Sequence, residues 1–183
     1  MGQTYYILGG KMINISSRII DISENTRTNE KINKIFKIIL HDPPLKNKSG
    51  IKNRNYINSL KNKDNISCSY NYIIGLNGEI INIIPENELA IHTGILEFDK
   101  HSLGICICYN ENNKISEKTM LSLEKLSIHL IRKYSLDATY DLIRCYDIIN
   151  RRSPLFFVDN QYCYLDFKEK IIMLSWFIHS KLC

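Results

Sequence analysis

Two periodicities divide the chain. Phe36 to Leu40 is a short, nearly continuous apolar run, which marks a buried strand. Tyr70 to Ile74 and Glu79 to Ile84 are rich in Tyr and Ile and flank Asn77-Gly78, a strong hairpin signal. Gly104 to Cys108 reads as a fourth strand. Farther on the period lengthens. Met120, Leu123, Leu126, Leu130 and Tyr134 recur at steps of three and four, one apolar stripe along a helix. Ser116 is placed to cap that helix, with Glu117 in its first turn, where negative charge suits a helix N-terminus. Phe167, Ile171, Leu174, Ile178 and Leu182 predict a second long helix starting near Asp166. Toward the N-terminus, Tyr5 to Leu8 and Ile13 to Ile20 suggest edge strands, and Ser23 to Asn33 is polar enough for a loop or short helix.

Elements mixed in this way predict an α/β fold, a mixed central β-sheet flanked by helices. At 183 residues the chain is long enough to bury a sizeable core and short enough to need only one. No Gly/Ser linker or internal repeat divides it. Residues 1–183 are therefore expected to form a single domain, with 1–34 packed on it.

Composition narrows the setting. No apolar run approaches the roughly 20 residues of a membrane span, so no membrane partner is expected. Tyr5-Tyr6-Ile7-Leu8 is too short for a secretory signal and lacks a basic lead-in. The expected location is cytoplasmic as synthesised, with lysis as the route out. A formal charge of +5 suits an anionic partner, but a Lys/Asn/Ile-rich composition produces the same charge without a nucleic-acid role. The six cysteines form no C-x-x-C pair, and reduced thiols are expected. Cys106 and Cys108 lie two apart on a strand, so both point to one face.

Five stretches carry more than periodicity. The first, Phe36-Lys37-Ile38-Ile39-Leu40-His41, ends a strand on a histidine. The hairpin follows, from Tyr70-Asn71-Tyr72 to Glu79-Ile80-Ile81. Next come Pro85-Glu86 through Ala90-Ile91-His92-Thr93-Gly94, and then Ser102-Leu103-Gly104-Ile105-Cys106-Ile107-Cys108. The last runs from Arg144-Cys145-Tyr146-Asp147 to Arg151-Arg152-Ser153-Pro154. In this order they resemble the zinc-dependent N-acetylmuramoyl-L-alanine amidases, the family that includes clostridial and phage endolysins. Ile51 to Tyr56 resembles the helix before that family's groove. The resemblance implies an amidase or peptidoglycan-recognition fold, again a mixed sheet with flanking helices.

For the site, the resemblance implies a reactive set whose members have been exchanged. The family's first zinc histidine falls on His41, its second on Cys145, and its zinc cysteine on Ser153. The catalytic Glu falls on Cys106, and the Lys beside the reacting carbonyl on Arg151. Asn71, His92 and Arg151 are the implied groove-binding residues, although Asn71 replaces a usual His. Tyr146, Asp147, Pro154 and Asn160 keep the family pattern.

A zinc hydrolase needs three protein ligands, an open position for water, a base, and a cation or donor for the oxyanion. A neutral Ser hydroxyl is a poor third ligand, and a thiol is no substitute for a carboxylate base. These residues therefore predict a pseudoenzyme with no catalytic residue intact and only a vestigial metal set, His41, Cys145 and Ser153. No cofactor is expected, with a weak or rearranged zinc site on Cys106, Cys145 and His41 left open. A thiol enzyme using Cys106 as nucleophile and His41 as base is another alternative. The scaffold would serve binding or assembly. Its partner would be a peptidoglycan fragment, another protein, or a second copy in a homo-oligomer. Two rival readings stay open. One is a structural or interaction protein whose contacts lie outside the groove, and the other an active amidase with an unusual site.

Overall fold

Seven strands form one sheet in the computed structural model, which describes residues 2–8, 11–32, 34–63 and 66–179. They are β1 (Gly2–Leu8), β2 (Lys11–Ser17), β3 (Lys37–His41), β4 (Tyr72–Ile74), β5 (Ile80–Asn82), β6 (Ser102–Ile107) and β7 (Leu142–Arg144). The helices are α1 (Gly50–Ser59), α2 (Leu96–Asp99), α3 (Glu117–Lys133), α4 (Ala138–Asp141), α5 (Tyr146–Ile149), α6 (Leu155–Asp159) and α7 (Gln161–His179). The strand order is β1-β2-β5-β4-β6-β3-β7. Strands β4, β6, β3 and β7 run parallel, while β1 and β2, and β5 and β4, pair antiparallel. The mixed sheet with flanking helices is the expected fold. Among the described residues no helix is long and apolar enough to cross a membrane.

The alternation of side chains across each strand splits the core in two. Ile38 and Leu40 of β3, Tyr72 and Ile74 of β4, and Leu103, Ile105 and Ile107 of β6 face one way. They pack against Leu123, Leu126 and Leu130 of α3 and Phe167 and Ile171 of α7. Ile73, Cys106 and Cys108 face the other way, toward Ile57 of α1. Cys106 and Cys108 do share a face, and it is the face on which His41 emerges.

Local chemistry explains where elements begin and turn. Ser116 caps α3, its hydroxyl accepting from the Thr119 amide at 3.1 Å. Gly78 takes a positive φ of 81° in the hairpin, and a Cβ there would meet the Lys118 carbonyl oxygen at 2.5 Å.

Several boundaries differ from the sequence expectation. Strand β2 stops at Ser17 and is interior, pairing with β5, because Arg18 and Ile20 then donate singly to Asn82 and Ile83. Helix α7 begins at Gln161, well before Asp166. Phe167 and Ile171 are buried on it as expected, whereas Leu174 is 36 % exposed. Leu182 and the side chain of Ile178 lie outside the described residues, as does Asn33 of the polar N-terminal stretch. The rest of that stretch is loop, held by bridges Ser23–Arg27 and Lys31–Glu88. The short strand β7 has no counterpart in the periodicity.

One buried arginine fixes the segment after β7. Arg144 pairs with Asp147 at 2.7 Å, donates to the Phe157 carbonyl at 3.1 Å and to Gln161 at 2.7 Å, and stacks 4.0 Å from the Tyr164 ring. Arg144→Ala should lower the unfolding free energy by about 2 kcal/mol, since it leaves the buried Phe157 carbonyl unpaired and removes the guanidinium packed on Tyr164. The lost pair with Asp147 adds little because Asp147 remains partly exposed. A urea-midpoint shift of only a few tenths of a kcal/mol would show that Arg144 does not hold this segment.

Candidate functional site

The parallel strands deliver their C-terminal ends to one edge of the sheet, the usual position of a site in an open α/β fold. His41 ends β3 and lies in register with Cys106 of β6. Cys145 follows β7 directly, its amide donating to Leu40 at 3.0 Å. Ser153 is brought back to the same place by Asp42. The Asp42 amide donates to the Ser153 hydroxyl at 2.8 Å, and the Asp42 carboxylate accepts from the Leu155 amide at 2.8 Å. So His41, Cys106, Cys145 and Ser153 do converge.

They converge on a sealed floor. Cys106 and Cys145 have no exposed surface, and His41, Ser153 and His92 are also buried. His92 lies directly on Gly104, where an added Cβ would come within 2.8 Å of its ring. Its Nδ1 is 2.9 Å from His41 Nε2, and its own Nε2 is 3.2 Å from the Ser102 hydroxyl. Ser102 donates its proton to the Phe98 carbonyl at 2.6 Å, so its oxygen can only accept from His92. Asp99, 3.7 Å from the same nitrogen, favours that proton too. His92 therefore carries hydrogen on Nε2 and accepts at Nδ1, and His41 carries hydrogen on Nε2 and donates. In this arrangement the His41 Nε2 has no lone pair to offer a metal.

His41 keeps a lone pair on Nδ1, while Ser153 offers only a neutral hydroxyl. The Ser153 hydroxyl already accepts from the Asp42 amide. Burial pushes the Cys145 thiol up to about 11 despite the opposing charge of Arg151, so it stays protonated at neutral pH. Among the described residues no three His, Cys, Asp or Glu side chains form a group that could hold a metal ion. The zinc that the resemblance implies does not fit His41, Cys145 and Ser153 as they stand, because a neutral hydroxyl lacks the charge and softness of a third zinc ligand. The thiol-enzyme alternative finds no support either. Burial, reinforced by Cys108, drives the Cys106 thiol well above its ordinary range, opposite to what a nucleophile requires.

The implied groove residues separate. Asn71 is buried and spends its amide on backbone: it donates to Pro85 at 3.3 Å and Glu88 at 3.4 Å and accepts from Gly104 at 3.0 Å. His92 is occupied as described. Arg151 alone of the three is exposed. Sequence reasoning missed Asp42, Tyr70, Asp99 and Ser102. Tyr70 packs 5.3 Å from the His41 ring, and Asp99 accepts from the amides of His92 and Thr93. Asp42 carried a signal by directly following His41, and Tyr70 and Ser102 by opening two of the five stretches; Asp99 carried none.

The buried imidazole pair has a pH signature. Burial depresses His92 to about 4, against the opposing pull of Asp99 and Ser102. His41 is pushed well below its usual range by burial first, then by His92 and Arg151. With folded values below the unfolded one, their stabilisation is complete above about pH 6.5 and is lost as pH falls toward 4. The urea midpoint should fall between pH 7 and 4.5, and less so in His92→Gln. An equal fall in that variant would assign the acid loss to other groups.

Comparison with known proteins gives a consistent picture. Residues 31–155 match the Amidase_2 family, described as N-acetylmuramoyl-L-alanine amidase. The chain is 24 % identical over 170 residues to N-acetylmuramoyl-L-alanine amidase BlyA of Bacillus subtilis (strain 168), covering 83 % of this chain and 45 % of that protein. It is 24 % identical over 174 residues to N-acetylmuramoyl-L-alanine amidase CwlL of Bacillus licheniformis, covering 87 % and 47 %. The chain thus spans about half the length of the curated relatives it matches. Among solved structures, the catalytic domain of XlyA superposes with a TM-score of 0.71 at 18 % identity, covering 87 % of this chain and 99 % of that one. N-acetylmuramoyl-L-alanine amidase LysC from Clostridium intestinale gives 0.58 at 24 % identity, covering 76 % and 87 %. These likenesses establish the fold.

Proposed function

The chain belongs to the N-acetylmuramoyl-L-alanine amidase family, and from that premise we propose that it is a binding member, one that holds a peptidoglycan fragment without cutting it. The observation that carries this reading is the set of donors at the strand ends: Ser153 offers only a neutral hydroxyl and Cys106 is a fully buried thiol, over a floor closed by the 2.9 Å contact between His41 and His92. Hydrolysis of an amide at neutral pH requires an activated water, a base and a stabilised oxyanion. On this floor the thiols are protonated, the imidazoles are engaged with each other, and Cys106 stands where a carboxylate would serve. The exposed guanidinium of Arg151 keeps its ability to bind.

The test is titration calorimetry with a small muramyl-peptide. It should bind, and Arg151→Ala should weaken it by about 1–3 kcal/mol, the usual range for a charge-assisted hydrogen bond. Absence of binding, with the mutant silent, would remove the reading.

A second reading, assembly through another surface, is favoured by α7. Tyr162 is 90 % exposed and Trp176 75 % exposed on that helix, with Leu165 and Met173 also outward. A defined oligomer in light scattering, together with no fragment binding, would make assembly the better account.

A further inference from the structure

Away from the candidate site, the opposite edge of the sheet carries an open cleft. Ala138 opens α4, which leads into the start of β7, whereas Cys145 follows the end of that strand. The cleft lies between the C-terminal end of α3, the turn into α4 and the second half of α7. Its volume is about 420 Å³, within the usual range of small-ligand sites.

Its walls are fixed by contacts. The Leu136 amide donates to the Ile131 carbonyl at 2.9 Å, closing α3 with Ser135 in the left-handed conformation at φ 53°. The Asp137 carboxylate caps α4 by accepting from the Thr139 amide at 2.7 Å. Lys168 of α7 donates to the Thr139 carbonyl at 2.8 Å and the Leu142 carbonyl at 2.6 Å, and Lys170 pairs with Glu124 of α3 at 2.7 Å.

Ile131, Leu136 and Ala138 give the cleft an apolar bed, and Trp176, 75 % exposed, lines it from α7. Arg132, Ser135 and Asp137 border the same space. Among the described residues neither the Arg132 guanidinium nor the Ser135 hydroxyl makes a hydrogen bond or ion pair, and Asp137 uses only one carboxylate oxygen for its cap. The other non-glycine residues with positive φ are all asparagines, which tolerate that conformation better. A serine at 135 keeps a hydroxyl at the cleft at some conformational cost.

These groups select a ligand. A guanidinium only donates, a carboxylate only accepts, and a hydroxyl does both. A simple anion would meet Asp137 and a simple cation Arg132, while an apolar body would strip water from both without replacing it. A hexopyranose meets every requirement, because its C–H face lies against an indole ring and its hydroxyls donate and accept around the edge.

We propose that this cleft binds a saccharide, with Trp176 as the stacking face and Arg132, Ser135 and Asp137 bonding to ring hydroxyls. The site does not depend on the reading of the groove at the strand ends, which lies at the other edge of the sheet.

Trp176 is the only tryptophan of the chain, so its fluorescence reads this cleft directly. Titrating the full chain with chitotetraose should shift the emission to the blue and saturate with a roughly millimolar midpoint. Asp137→Asn, which keeps a capping side chain, and Arg132→Gln should each raise that midpoint about fivefold or more. By calorimetry, Trp176→Ala should abolish binding and Trp176→Phe should keep part of it. Trp176 and Asp137 are exposed, so their replacement leaves the core intact. An emission that moves with neither chitotetraose nor maltotetraose overturns the proposal, as does binding of octanoate in their place. Sugar binding that persists in Trp176→Ala places the ligand elsewhere and overturns it too. An emission that changes on protein dilution and not with either sugar would show a second copy covering α7 instead.

Discussion

Purified peptidoglycan incubated with this chain should yield no new alanine amino termini above a protein-free control, with or without added zinc. A general base normally contributes about 10²–10⁴ in rate, and metal activation of water several kcal/mol more. Cys106, where the resemblance implies the base, is a fully buried thiol. The donors that would activate water are bound to each other or to backbone, at 2.9 Å for His41 with His92 and 2.8 Å for Ser153 with the Asp42 amide. Losing both contributions places the rate near that of uncatalysed amide hydrolysis. Release at the pace of an ordinary family member, sensitive to chelation, would show that the floor opens and finds ligands in solution. The chain would then be an active amidase.

The second large effect concerns metal. The wild-type chain should carry far less than one zinc per molecule after dialysis against zinc and removal of excess. Cys145→His with Ser153→Cys should carry close to one. Both positions are already brought to His41 by backbone, through the Cys145 amide on Leu40 and the closure of the 146–153 loop. The exchange needs donor chemistry rather than new architecture. A thiolate at 153 can keep accepting from the Asp42 amide while binding metal, as outer-shell amides commonly do for metal-bound sulfur. Zinc can take the lone pair on His41 Nδ1, or displace His92 from Nε2 by trading a net hydrogen bond of roughly 1 kcal/mol for a much stronger coordination. Stoichiometric zinc in the unmodified chain would refute the sealed floor directly. A metal-free double variant that remains folded would show that donor chemistry alone does not make the site.

Much of the fold was legible because its signals are local. Asn77-Gly78 specifies a turn within a few residues, Ser116 caps its own helix, and the α3 stripe is a property of that helix alone. Strand β7 was illegible for the opposite reason. Three residues carry no period, and Leu142–Arg144 is a strand only because β3 lies beside it. The site divides in the same way. His41, Cys106, Cys145 and Ser153 were placed by their position in stretches with a recognisable order, and the backbone brings them to one edge of the sheet. Asn71 and His92 were assigned to a groove, and their actual work depends on partners far along the chain: Pro85, Glu88 and Gly104 for one, His41 and Ser102 for the other. No spacing in a sequence announces that an amide will be consumed by remote carbonyls. The exposure of Arg151 was equally invisible, since it follows from how a loop closes.

The seat of His92 on Gly104 has a consequence for how this chain can drift. With an added Cβ only 2.8 Å from the imidazole, positions 92 and 104 cannot vary independently. A descendant that acquires alanine at 104 must turn or shrink the residue at 92. In doing so it gives up the 2.9 Å contact with His41 Nε2. A single methyl group at 104 is thus enough to part the two imidazoles, and substitutions at 92 and 104 should be strongly coupled.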